Sequence, residues 1–167
     1  VIRAALAEDL ALLPAVECSA AALLRGSRLG WVADGPTLPA VMLEEAASHG
    51  LLWCAWRAEA GVVGFLLAGV LDGELFVEEL SVAQPHQRGG IGRALLGHAV
   101  RQARERGLDG VSLTTDHDLA WSAPFYASAG FRVAAGEALT PMLRQRLAQE
   151  AVHGHDPASR CAMRLAF

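Results

Sequence analysis

The stretch Leu80-Ser81-Val82-Ala83-Gln84-Pro85-His86-Gln87-Arg88-Gly89-Gly90-Ile91-Gly92-Arg93-Ala94-Leu95-Leu96 has the makings of an anion site. An apolar strand pattern ends, Pro85 interrupts it, and a basic, glycine-rich turn runs straight into a helix pattern. At a helix start the N–H groups lack intrahelical acceptors and point toward one spot, and glycines let a phosphate come close. Residue types exclude two common phosphate loops. A dinucleotide-binding turn needs Gly or Ala where Leu95 stands, and a parallel strand–helix–strand start. A Walker A loop needs Lys followed by Ser or Thr, and the chain has no lysine. A turn with glycines placed for tight packing stays open on these residues alone.

Other chemistry-bearing residues are few. Glu78 and Glu79 lie on the strand that enters the turn, and neighbouring strand residues point to opposite faces. Tyr126 is the sole tyrosine. His117, between Asp116 and Asp118, is a second candidate base or a polar loop residue. His153-Gly154-His155-Asp156 lacks HExxH or CxxC spacing, so no metal is expected. No G-x-S-x-G elbow marks a Ser-His-Asp arrangement. Cys18, Cys54 and Cys161 form no CxxC pair, and Cys54 and Cys161 sit in apolar strand patterns that favour burial.

The positioning elements follow from periodicity. Residues 1–6 read as a strand. Asp9 is a candidate cap for a helix to about Leu24, with Leu10, Leu13 and Val16 on one face. Gly26 to Pro39 reads as a loop containing an exposed Trp31. Thr37 is a candidate cap for a helix from Pro39 to Ser48. Leu51–Ala58, Val62–Leu71 and Glu74–Val82 form an antiparallel meander turned at Glu59-Ala60-Gly61 and Asp72-Gly73. A helix over Gly92–Arg106 repeats Leu95, Ala99 and Ala103 at spacing four. Val111–Thr115 is a strand expected to run parallel to the one before the turn. A short helix at Trp121–Ser128, a strand at Phe131–Ala134, a helix at 140–152 and a last strand at Arg160–Phe167 complete the order. The expected fold class is mixed α/β: a mostly antiparallel twisted sheet of six or seven strands with about four or five helices, in a single domain over 1–167.

Composition narrows the partners. The chain has 167 residues, 53% hydrophobic, with a net charge of −4. That balance suits a packed core and a small anionic ligand and opposes a nucleic-acid partner. The longest apolar run, Gly61 to Leu71, is too short to cross a bilayer, so no membrane partner is expected. No basic-then-apolar leader opens the sequence, and a cytoplasmic location with reduced thiols is expected. Every basic residue is arginine and asparagine is absent, a GC-rich coding bias that points to a bacterial source.

Gln87-Arg88-Gly89-Gly90-Ile91-Gly92 resembles the Q/R-x-x-G-x-G/A signature of the GNAT acetyltransferase superfamily. Trp121-Ser122-Ala123-Pro124-Phe125-Tyr126-Ala127-Ser128-Ala129-Gly130-Phe131 resembles a later motif of that family, W-N-x-P-FY-x-x-x-GF. The resemblance covers about Leu51 to Ala134 well and the rest only in layout. It implies transfer of acetyl from acetyl-CoA, the co-substrate, to a primary amine in a ternary complex. It also implies that backbone groups from Arg88 to Arg93 hold the pyrophosphate, with Gln87 ordering the loop. The backbone of Leu80, Ser81 and Val82 would hold the pantetheine arm. Ser122 and Phe125 belong to the second motif, where serine, with a shorter hydroxyl, replaces the asparagine that in the family helps hold the pantetheine arm. Tyr126 would be the general acid toward the departing thiolate. Glu78 is the preferred base, with Glu79 as substrate anchor or second choice.

Glu44, Glu45, Asp34 and the Glu78–Glu79 pair are compatible with a small cationic amine as acceptor, with amino acid, polyamine, aminoglycoside and protein N-terminus all open. Trp31 and Trp121 either line its pocket or pack elsewhere. A non-catalytic acyl-CoA-binding module and a transferase of longer acyl groups are the alternatives. A monomer and a homodimer are both compatible, since the last strand could pair within the chain or with a second copy.

Overall fold

The computed structural model describes all 167 residues, Val1–Phe167. Seven strands are β1 (Ile2–Ala4), β2 (Leu52–Arg57), β3 (Gly61–Leu71), β4 (Glu74–Val82), β5 (Gly110–Asp116), β6 (Arg132–Val133) and β7 (Arg160–Ala166). Seven helices are α1 (Ala7–Leu10), α2 (Leu13–Ala21), α3 (Gly30–Ala33), α4 (Ala40–Ser48), α5 (Ile91–Glu105), α6 (Ala123–Ser128) and α7 (Pro141–Val152). The strands hydrogen-bond in the order β1-β2-β3-β4-β5-β7-β6. The expected mixed sheet, its meander and its parallel β4–β5 pair are all present. The helix count exceeds the expected four or five because α1 and α3 are single turns.

The chain divides into two compact units, Val1–Gly69 with Glu78–Ala99, and Val70–Val77 with Val100–Phe167. In the first, β1 pairs with β2 and β2 with β3, all antiparallel, with a register shift between Ala55 and Trp56. Leu13, Leu52, Phe65, Leu66 and Leu95 are fully buried here. Gly64 lets β3 approach closely: a Cβ there would meet the Ser81 carbonyl oxygen at 2.9 Å and the Ile91 side chain at 3.4 Å.

Two helix starts differ from expectation, both for reasons of proline geometry or local pairing. The single helix from Asp9 to Leu24 is broken at Ala11-Leu12. Asp9 is not its cap: it lies inside α1, accepts from the Leu6 N–H at 2.7 Å and pairs with Arg3 of β1. Pro14 then occupies the first turn of α2, where its missing N–H costs nothing. Thr37 does not cap α4. Pro39 does, because the residue before a proline is driven out of the helical region.

In the second unit β5 runs parallel to β4 through Leu75↔Val111 and Phe76↔Ser112. The last strand, β7, pairs within the chain, lying between β5 and β6. A Cβ at Gly110 would come within 2.6 Å of the Leu165 carbonyl oxygen, so the β5–β7 ladder needs glycine there. Phe76, Ala134, Leu143 and Ala162 form the core under α7. The Asp72-Gly73 turn has φ of 51° and 78°, the left-handed pair that a two-residue hairpin requires.

Candidate active site

The turn is tied down from two directions. The Gln87 side-chain amide donates to the Val82 carbonyl at 2.9 Å, closing the loop onto the end of β4. The Gln84 N–H donates to Ser19 Oγ of α2, also at 2.9 Å. Arg88 and Gly90 both have left-handed backbones, φ 63° and 82°. A non-glycine residue there is uncommon, and such conformations cluster at ligand clamps. Across the start of α5 the Ala94 N–H donates to the Gly90 carbonyl at 2.9 Å. The Ile91 and Gly92 N–H groups therefore precede this first intrahelical donor.

The glycines are not explained by packing. A Cβ at Gly90 would meet nothing within 4 Å, and one at Gly89 only the His86 carbonyl oxygen at 3.7 Å. No side chain therefore crowds the backbone of Gly89 or Gly90. These residues fit a pyrophosphate.

The end of β4 has two distinct edges. The Ser81 carbonyl lies on the β3 side, next to Gly64, and the Ala83 N–H donates to the Val63 carbonyl at 2.9 Å. Backbone groups alternate along a strand, so Leu80 and Val82 turn theirs to the opposite edge. The registered β4–β5 ladder has already ended at Phe76. Of the three backbones expected to hold the pantetheine arm, Ser81 thus faces β3.

The two glutamates differ sharply. Glu79 shares its face with Ser81, whose hydroxyl donates to Glu79 Oε1 at 2.6 Å. Burial pushes the Glu79 carboxyl up to about 7 from an ordinary 4.5, and the charges of Glu17 and Glu78 push the same way. The Ser81 bond opposes the rise without cancelling it. Glu78 points to the other face, and its Oε1 lies 4.0 Å from the Cβ position of Gly69 on β3. Glu17 of α2 was not singled out by sequence reasoning. Its two oxygens accept from the Leu38 N–H at 3.2 and 2.9 Å, and burial raises its carboxyl too. No sequence signal marks it, since its place comes from how α2 docks.

In the second unit Tyr126 lies on α6, half-buried, with the Phe125 and Phe131 rings edge-on at 5.1 and 5.9 Å. The Phe131 N–H donates to the Tyr126 carbonyl at 3.1 Å, so the two ends of the motif close on each other. Ser122 precedes α6, and its side chain makes no capping bond. Trp121 and Trp31 are exposed.

The remaining candidates scatter. His117 is exposed, and its N–H is held by the Ser159 carbonyl at 2.8 Å. His153 Nδ1 lies 2.7 Å from the Gln149 carbonyl at the end of α7. No group of three His, Cys, Asp or Glu side chains could hold a metal ion. Asp34 pairs with Arg25, and Glu44 and Glu45 are exposed on α4, so these acids are not gathered with Glu79. Cys54 and Cys161 are buried; burial pushes the Cys54 thiol up to about 12, which makes it inert.

A mixed sheet whose fourth strand runs into a glycine loop and a helix start suits the acetyltransferase class. The model of the acetyltransferase (GNAT) family matches residues 22–131, and the chain belongs to that family. Similar solved structures include the ribosomal-protein-S18-alanine N-acetyltransferase of Escherichia coli. It is 18% identical, with 99% of this chain and 92% of that one covered and a TM-score of 0.70. The PaiA N-acetyltransferase of Thermoplasma acidophilum, in complex with coenzyme A, is 17% identical over 100% and 98% of the two chains, TM-score 0.72. The ribosomal-protein-alanine N-acetyltransferase of Brucella melitensis is 22% identical over 100% and 99%, TM-score 0.69. At these identities the likeness is one of fold.

Proposed function

We propose that this chain transfers acetyl from acetyl-CoA to the primary amine of a small cationic molecule, by direct attack in a ternary complex. The observation that carries the reading is Glu79. It is a carboxyl poised at about 7, on the strand that leads into the glycine loop. Glu79, rather than Glu78, is the base. An alkylammonium has a pKa of about 10.4, so handing its proton to an ordinary glutamate is uphill by roughly 8 kcal/mol. Handing it to a carboxylate at about 7 is uphill by roughly 4.6 kcal/mol.

Acetyl-CoA would supply an acyl group already activated as a thioester. The backbone from Arg88 to Arg93 holds the pyrophosphate, with Gln87 fixing the loop and Arg88 or Arg93 adding charge. Leu80 and Val82 offer backbone groups to the pantetheine amides, and an N–H on that edge suits a developing oxyanion. Ser122 keeps a hydroxyl where the family motif has an amide. Tyr126 is assigned as the general acid by its place in the second motif. With a reference pKa of about 10 against about 8.5 for a thiol, it donates a hydrogen bond rather than completing a transfer.

The charges of Glu17 and Glu78 both act on Glu79 as like charges, which supports a cationic acceptor. The test is thiol release from acetyl-CoA across a panel of amines. Diamines should show higher kcat/KM than zwitterionic amino acids. Tight CoA binding with no turnover on any amine would instead leave a non-catalytic acyl-CoA module.

A further inference from the structure

We propose that Ser19 on α2 is a positioning residue for the cofactor turn: by accepting from the Gln84 N–H it holds the turn in the shape that grips the pyrophosphate of acetyl-CoA. The inference rests on the reading of the turn from Gln87 to Arg93 as the pyrophosphate site. The bond joins residues 65 apart in sequence at 2.9 Å, and both partners lie in the first unit. Leu13 and Val16 of α2 are buried, which sets the rotation of the helix. Ser19 stands three residues beyond Val16, on the same side of the helix, and so reaches the chain just beyond β4.

The residues between β4 and α5 need such a hold. Arg88 is a non-glycine residue at φ 63°, and Gly90 follows at φ 82°. A residue with a side chain keeps that conformation only where its surroundings fix it. The fixing bonds lie just upstream. The Ala83 N–H donates to the Val63 carbonyl of β3 at 2.9 Å, and the Gln87 side chain to the Val82 carbonyl at 2.9 Å. Pro85 has no N–H, and the His86 N–H turns back to the Ala83 carbonyl at 2.8 Å. The Gln84 N–H, first in this turn, finds its acceptor on α2 instead. Without the Ser19 oxygen that donor turns to water, and the turn is released from α2. More of the free protein must then be ordered when CoA binds, which weakens the grip.

The experiment compares Ser19→Thr, Ser19→Val and Ser19→Ala with the wild type by calorimetric titration with CoA and by steady-state kinetics with acetyl-CoA and a diamine acceptor. Threonine and valine share one branched shape, and threonine keeps the accepting oxygen. Melting curves check that each variant is folded at the assay temperature. Ser19→Val and Ser19→Ala should bind CoA about three- to tenfold more weakly, the range of one net hydrogen bond. Their KM for acetyl-CoA should rise by the same factor, with kcat and acceptor KM unchanged. Ser19→Thr should match the wild type. Unchanged CoA affinity in Ser19→Val and Ser19→Ala overturns the inference. So does a Ser19→Thr protein as weak as Ser19→Val, which would make the effect one of shape, and so does a loss confined to kcat or acceptor KM. A wild-type protein that binds no CoA overturns the reading of the turn itself. Wild-type CoA binding that all three variants share overturns the inference alone.

Discussion

Glu79 pulls stability and catalysis in opposite directions. As a base it must be ionised, so kcat/KM should rise with pH through about 7. As a half-buried, desolvated acid it keeps its proton in the folded protein up to about 7, while the unfolded chain ionises from about 4.5. The folded state therefore loses stability as pH rises across that interval, by at most about 3 kcal/mol. Glu79→Gln should lower kcat by roughly 100-fold or more and, above about pH 8, raise the melting temperature. A variant with lower kcat but an unchanged melting curve would contradict the buried-carboxyl account. Ser81→Ala removes the bond that favours the ionised form and should move the acid limb to higher pH. For Tyr126→Phe, kcat should fall about 10- to 100-fold with acetyl-CoA affinity unchanged, as read by steady-state kinetics and CoA titration.

The strand–turn–helix element allows its two functions to be separated. Gly89 has no left-handed φ and open surroundings, so Gly89→Ala should leave the melting temperature within a degree or two. If the bare backbone is there for the pyrophosphate, the same change should weaken CoA binding about 10-fold or more by calorimetry. Gly64→Ala is the reverse case. Its Cβ would press on the Ser81 carbonyl at 2.9 Å, where only backbone can give way, and a loss of about 1–3 kcal/mol is expected in denaturant unfolding. The turn was legible because Pro85, Arg88 and the glycines each carry a specific backbone meaning. The bare surface over Gly90 was not, because open space is not written in a glycine.

Across the whole molecule, the ladder of β7 between β5 and β6 is reinforced by a polar pair. Arg164 of β7 donates to Glu74 of β4, with Nε to Oε1 at 3.0 Å, and also to the Ala138 carbonyl. Glu74 is nearly buried, and a quarter of Arg164 is exposed. Arg164→Ala would strand that carboxylate and should cost roughly 2–3 kcal/mol, below the full range for buried pairs because of the exposure. The meander and the parallel β5 were readable from periodicity and from the entry of β5 out of a helix. The return of β7 to the middle was left open between self-pairing and exchange, because an apolar strand pattern carries no address.

The sequence by itself determined the family and its two motifs, the mixed sheet, and the short list holding Glu79 and Tyr126, because glycine, proline and strand alternation act locally. The tertiary structure decided the surroundings of Glu79. Alternation says that Glu78 and Glu79 face apart, but only tertiary packing says how far Glu79 is withdrawn from water. That packing withdraws Glu79 from water and pushes its carboxyl up to about 7 from an ordinary 4.5.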